Sequence, residues 1–301
     1  MLEEMLSKVS NKNNFTSIQE YIDFASYFLE YIQENKQAVI VSQNEHHYNF
    51  YQYGKEVDYR VTRPFNSNIL YSIEDFEINK NILLNDLSQL KRHKDKAAIT
   101  DRTIINRSIY TIQQSIGFGL DALPAGKSNT ARKLAGDLFE RLILLLFIEV
   151  GINAKGGVVK VPVVKEGKKI VDMNYQHDLI VDRIGEKHPC LIGSVKTTSK
   201  DRLAKVFMDK FLYSRLTDTE VPHIAIFLHD VQRKSAKQEG KYGISQTFLT
   251  GSFKGYTIKL NPLDGVYYFD PRPIMQTDEF FKEHIQTFDH LICDDIWDYI
   301  K

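Results

Sequence analysis

Cysteine is nearly absent from this chain of 301 residues. The two present, Cys190 and Cys293, form no CxxC pair, so neither a thiolate zinc site nor a disulfide framework is supported. That scarcity fits a reducing cytoplasm. Long apolar runs are missing too. The most apolar stretch, Leu142–Val150, is far too short to span a bilayer. The opening MLEEMLSKVSNKNN is polar and lacks the apolar core of a secretory signal. The expectation is a soluble, cytoplasmic protein with no membrane partner. An excess of either charge is also lacking, with 39 Lys+Arg against 39 Asp+Glu. A protein that coats DNA without selectivity is usually basic, whereas a sequence-selective one needs only a local basic surface. There is no GxxxxGK[ST] loop, GxGxxG, HExxH or nucleophile elbow, so NTP hydrolysis, nicotinamide chemistry, zinc proteolysis and serine-hydrolase chemistry are unsupported. Internal repeats and low-complexity tracts are absent.

What is present is a hydrophobic share of 43%, enough to bury one large core or two modest ones. Residues 1–124 show helical spacing, as in Tyr21–Gln33 and Ile104–Leu123. The Tyr- and Asn-rich stretch 45–66 between them reads as strands or loops. This region is expected to be mostly helical, contributing DNA contact or dimerisation. After Pro124-Ala125-Gly126, Lys127–Ile152 reads as one long helix, capped by Ser128, Asn129 or Thr130 and ended by Gly151.

From residue 153 the period shortens. Val158–Val164, Asp178–Val181, Cys190–Val195 and His223–Leu228 are short β-branched runs parted by turn residues. Lys165–Lys169 reads as a hairpin turn. Residues 201–216 return to helical spacing. Residues 229–260 read as a polar excursion, Val266–Asp270 as another strand and Thr277–Trp297 as a closing helix. The predicted class is α/β: a central mixed sheet flanked by helices over residues 125–301.

Asp178 opens one predicted strand and Lys196 closes the next, so a short hairpin brings a carboxylate and an ammonium to one end of the sheet. Asp209 follows Lys196 by thirteen positions on the next helix, and Glu140 lies on the long helix before the sheet. Three carboxylates and one lysine can therefore converge. Hard carboxylate oxygens hold Mg²⁺ together with water and a substrate phosphate. The metal acidifies a bound water and neutralises phosphate charge. The plain reading of the same spacing is that Asp178 caps a turn and Lys196 is a solvated strand end.

The segment Gly193-Ser194-Val195-Lys196-Thr197-Thr198-Ser199-Lys200-Asp201-Arg202, followed by Asp209, resembles one branch of the PD-(D/E)xK nucleases, the EcoRII/NgoMIV-like type II restriction endonucleases. In that branch the acidic residue two before the lysine is replaced, here by Ser194, and a carboxylate from the next helix stands in for it. Asp209 matches that position, where the family normally has glutamate. Upstream, Ser128–Glu140 is similar to the family's basic, Gly-containing helix, and Glu140 falls on its glutamate. His177 holds the place of the family's proline and reads as either a general base or a packing histidine. The resemblance covers residues 127–230 and implies a restriction-endonuclease-like core.

The resemblance also implies Asp178, Asp209 and Glu140 as metal residues for Mg²⁺, with Mn²⁺ able to substitute, and Lys196 as the residue that positions water. It implies a prokaryotic homodimer on double-stranded DNA at a palindromic CCGG- or CCxGG-like site. The run after the lysine is its DNA-reading element. Lys200 and Arg202 suit guanine and Asp201 suits cytosine N4, each good contact carrying roughly 1–3 kcal/mol of discrimination. Ser199 and Lys205 flank that run as further DNA-binding candidates. The plain alternative is a helix start with Ser199 as cap. Two other functions stay open: a repair nuclease or resolvase of the same superfamily that reads DNA shape, and a non-catalytic DNA-binding protein with a decayed nuclease core.

Overall fold

Helices and strands alternate along the chain as the two sequence periods dictate. The computed structural model describes residues 1–93, 99–183, 185, 188–200, 202–234 and 241–301. The N-terminal part builds helices α1 (Leu2–Ser10) and α2 (Ile18–Asn35), then a small antiparallel sheet of β1 (Lys36–Val41), β2 (Tyr48–Tyr53) and β3 (Phe65–Asn66). Helices α3 (Ile73–His93) and α4 (Thr103–Asp121) follow. A capping box starts α2: Ser17 accepts from the Glu20 N–H, and the Glu20 carboxylate accepts from the Ser17 N–H. Of the tyrosines in 45–66, Tyr48, Tyr51 and Tyr53 serve packing and Tyr59 is exposed. Tyr53 is buried with its hydroxyl on Phe118 O at 2.6 Å, and Tyr51 lies against Phe65 and Phe118.

α4 is buried on nearly every side from Ile105 to Leu120, so its polar groups need internal partners. Asn106 Nδ2 donates to Phe269 O at 2.6 Å and Gln113 Nε2 donates to Ala135 O at 3.0 Å. These bonds fasten the N-terminal helices to the rest of the chain. The largest core cluster holds Phe24 and Ile112 together with Leu142 and Val195, and so runs through both sides of position 124.

The second part starts with α5 (Ser128–Glu149). Then come β4 (Ala154–Lys165), β5 (Lys168–Val181), β6 (Leu191–Thr198), α6 (Leu203–Thr217) and β7 (His223–His229). After β7 stand a hairpin of β8 (Val231–Lys234) and β9 (Gly243–Gln246), helix α7 (Thr250–Lys259) and β10 (Gly265–Asp270). Short helices α8 (Pro273–Thr277) and α9 (Glu279–His284), strand β11 (Ile285–Thr287) and three short helical pieces end the chain.

Among the described residues the main sheet has six strands in the order β11-β10-β7-β6-β5-β4. The β4–β5–β6 pairs are antiparallel and the others parallel, giving the mixed α/β sheet expected. Side chains alternate across it. Ile224, Ile226 and Leu228 of β7 join the cluster containing α5, whereas Ala225 and Phe227 join the one containing Val206 and Phe207 of α6. α5 and α6 therefore cover opposite faces.

Several local expectations are corrected. α5 has Lys127 at its N-cap and no side-chain cap bond, because Ser128, Asn129 and Thr130 already lie in the first turn. β5 begins ten residues before Asp178, since its first part is exposed and mixes Lys, Asp and Asn with Ile170, Val171 and Met173, with no clean apolar alternation. Residues 229–260 contain a hairpin and a helix. The expected closing helix is interrupted where Ile285–Thr287 pairs in parallel with Val266–Tyr268. There the open edge of β10 competes with helical propensity and wins, burying Ile285 and Phe288. No helix among the described residues is long and apolar enough to cross a membrane.

Candidate active site

The site forms around an irregularity in β5. In the β4–β5 ladder the register passes from Lys155↔Ile180 to Gly157↔His177. Two steps on β4 thus match three on β5, so β5 carries an extra residue at Asp178–Leu179, opposite Gly156. Such a bulge bends a strand and re-aims a side chain. Gly156 suits the crowding, since a Cβ there would lie 3.2 Å from Asp178 O. β5 pairs with β6 only over Leu179–Val181, so Asp178 stands where the two strands part. Its Oδ2 accepts from the Val195 N–H at 2.9 Å and from the Lys196 ammonium.

Lys196 Nζ also donates to Glu140 Oε1 at 2.9 Å. α5 supplies Glu140, β5 supplies Asp178 and β6 supplies Lys196, as the sequence predicts. The three side chains are partly open to solvent, at 32%, 13% and 25% exposure respectively. Burial raises the Glu140 carboxyl above its ordinary value, and the charge of Asp178 adds to this while Lys196 opposes it. Burial alone lowers the Lys196 ammonium, but Asp178 and Glu140 outweigh it and raise the group above its ordinary value. Two mutually repelling carboxylates are thus held by one shared cation.

Asp209 is not brought into this group. α6 covers the other face of the sheet, and Asp209 is paired there with Lys205, one turn earlier on the same helix. His177 also faces that side, buried between Tyr175 and Tyr213, so it packs as a core histidine. Burial lowers its imidazole below the ordinary value, with Asp209 opposing.

Of the DNA-reading candidates, Lys200 and Arg202 are exposed, and Lys200 Nζ donates to Gln232 Oε1 at 3.3 Å. Arg202 itself is the N-cap of α6. Ser199 neither caps that helix nor faces solvent: it is buried, with its hydroxyl 3.0 Å from Thr247 Oγ1. Lys205 is exposed but engaged by Asp209. Lys210, further along α6, is buried and donates to Asp264 and Pro262 O. Asp201 lies outside the described residues.

No group of three or more His, Cys, Asp or Glu side chains among the described residues is arranged to hold a metal ion. Mg²⁺ does not require one, because it binds through one or two carboxylates, completing its shell with water and substrate phosphate. Glu140 and Asp178 are such a pair of hard donors and already share a cation in Lys196. The donor set fits.

No protein-family model and no curated protein matches the sequence. The solved structure of the type IIP restriction endonuclease Kpn2I is similar, with a TM-score of 0.67 over 97% of this chain and 95% of that one, at 14% identity. The chain therefore has a restriction-endonuclease-like fold.

Proposed function

We propose that this chain is a Mg²⁺-dependent type II restriction endonuclease, hydrolysing phosphodiester bonds of double-stranded DNA at a specific palindromic site. One observation carries the reading: the Lys196 ammonium is shared by Glu140 and Asp178 on a restriction-endonuclease-like sheet. Glu140 and Asp178 would hold Mg²⁺, or Mn²⁺ in its place, which when bound acidifies a water and offsets phosphate charge. Lys196 orients the attacking water and faces the scissile phosphate. Asp178, fixed by the Val195 N–H, keeps the ammonium in place.

Arg202 is the base-reading residue best presented. It is exposed, and its guanidinium can give two hydrogen bonds to guanine O6 and N7. Lys200, held near Gln232, makes a less constrained contact. The CCGG- or CCxGG-like core and the homodimer follow from the sequence resemblance, a two-fold protein matching a palindromic site. Asp209 and Ser199 have no part in the chemistry as placed.

The test is digestion of a fully sequenced phage genome with Mg²⁺ or Mn²⁺, followed by mapping of every new end. Ends falling at one short palindrome support the reading. Ends scattered without sequence or confined to branched DNA assign the chain to the repair nucleases, and no cleavage with either metal overturns a nuclease altogether.

A further inference from the structure

β4 and β5 continue beyond the site. They stay paired from Ala154↔Val181 out to Lys165↔Lys168, while β6 leaves them after three residues. The ten residues Lys168–His177 therefore run past the rim in a two-stranded ribbon, a length of about 33 Å at about 3.3 Å per residue. One side of this ribbon is packed, with Val161 and Tyr175 against Tyr213 of α6. By alternation the other side carries Asn174 and Gln176, with Lys160 across from Asn174, all three exposed. This is the side that α5 covers lower on the sheet. Asn174, Gln176 and Asp178 form one row leading away from the shared ammonium.

The charge of the ribbon is as one-sided as its packing. Between Ala154 and His177 five lysines stand against Glu166 and Asp172, in a chain of zero net charge. Asp182 engages Lys155 and Asp172 engages Lys169, whereas Lys160, Lys165 and Lys168 are exposed. The outer edge is unsuited to adding a strand, because Pro162 has no N–H and lysines punctuate β4.

We propose that this side of the ribbon and the ribbon's tip bind the DNA backbone flanking the scissile phosphate, through Gln176, Asn174 and Lys160 on the side and Lys165 and Lys168, which alternation turns to the other side, at the exposed tip. The proposal rests on the nuclease reading. Asn174 lies four residues from Asp178, about 13 Å along the strand. That is roughly four base pairs of duplex at about 3.4 Å each. The amides donate to phosphate oxygens and the lysines release counterions, so this surface adds affinity without reading sequence.

The experiment measures binding of a mixed-sequence linear duplex by fluorescence anisotropy from 50 to 300 mM KCl without divalent cation. Wild type is compared with the Lys160→Ala/Lys165→Ala/Lys168→Ala variant. Its salt slope is expected to shrink by about 2.7, or about 0.9 per lost phosphate contact, with affinity down on the order of 10²-fold near 0.1 M salt. Asn174→Ala with Gln176→Ala is expected to weaken binding without changing the slope. All five side chains are exposed, and unchanged thermal melting checks the fold. A triple variant that keeps the wild-type slope overturns the ribbon proposal and leaves the nuclease reading standing. Wild type that binds no duplex overturns both. Unchanged DNA binding together with a smaller sedimenting mass for Ile170→Ser/Val171→Ser makes the ribbon a subunit contact instead, against the proposal.

Discussion

Two clusters of carboxylates and one cation stand at the same end of the sheet, at the carboxyl ends of its parallel strands. Glu140, Asp178 and Lys196 are partly open to solvent. Asp230, Asp270 and Arg272 are sealed, at 1%, 2% and 7% exposure. In the sealed cluster Asp270 accepts from Tyr48 Oη and Asn66 Nδ2, both at 2.8 Å, and Arg272 reaches Glu45 Oε1 at 2.5 Å. These bonds join β2, β3 and the loop before β2 to the end of β10. The residue types are the same and the uses differ. A partly open ammonium between two carboxylates leaves a metal ion and a phosphate room to approach. A buried guanidinium does not, and it serves as a joint between the N-terminal sheet and the main one.

The largest effect separating them is expected from Lys196→Ala. Plasmid cleavage should fall on the order of 10³-fold while duplex binding and thermal stability persist. Near-normal cutting breaks the assignment. Arg272→Met should do the reverse, leaving Glu45 and Asp230 without their cation. Urea unfolding should show a loss of about 3–5 kcal/mol, with cleavage by the remaining folded protein intact.

The third contrast is in pH. Burial holds the Asp230 carboxyl up at about 7 and that of Asp270 up at about 6. Both lie above the unfolded value of about 3.9. A raised carboxyl favours the folded state below the unfolded value, and that advantage is lost as pH rises through about 6–7. The buried histidines His223 and His229, lowered by burial to about 4 and about 3, act in the opposite sense, so wild type alone is not the readout. Asp230→Asn should gain about 1–3 kcal/mol over wild type on going from pH 5 to pH 8, measured by urea unfolding at both. A gain independent of pH would mean Asp230 titrates normally.

The smallest effect sharpens the boundary of the open cluster. Glu140→Gln is expected to cost on the order of 10²-fold in cleavage, Asp209→Asn no more than about threefold. Equal losses would show that the α6 carboxylate joins the site when DNA is bound.

Much of the open cluster was legible in the sequence. β-branched runs joined by a short loop put Asp178 and Lys196 on adjacent antiparallel strands, although Asp178 lies inside β5 and not at its start, and the apolar side of α5 aims Glu140 at them. Asp209 was misplaced because thirteen residues give a distance along the chain but not the face of the sheet on which the next helix lands. Ser199 has the chemistry of a cap, and only the distant Thr247 reveals its actual partner. The sealed cluster left no signal, its members being scattered from Glu45 to Arg272. The ribbon row had a faint one: polar Asn174, Gln176 and Asp178 alternating with Tyr175 and His177.

The additional residue at Asp178–Leu179 of β5 has a consequence for how this chain tolerates change. Without it, even-numbered positions up to Asp178 and odd-numbered positions from Leu179 onward would point to opposite sides, and a flat strand would sacrifice either the carboxylate row or the anchor formed by Leu179 and Val181. A library of single-residue deletions should therefore find the turn at Glu166–Gly167 permissive and positions 176–180 intolerant, whichever residue is removed, because phase rather than side-chain identity is what that stretch encodes.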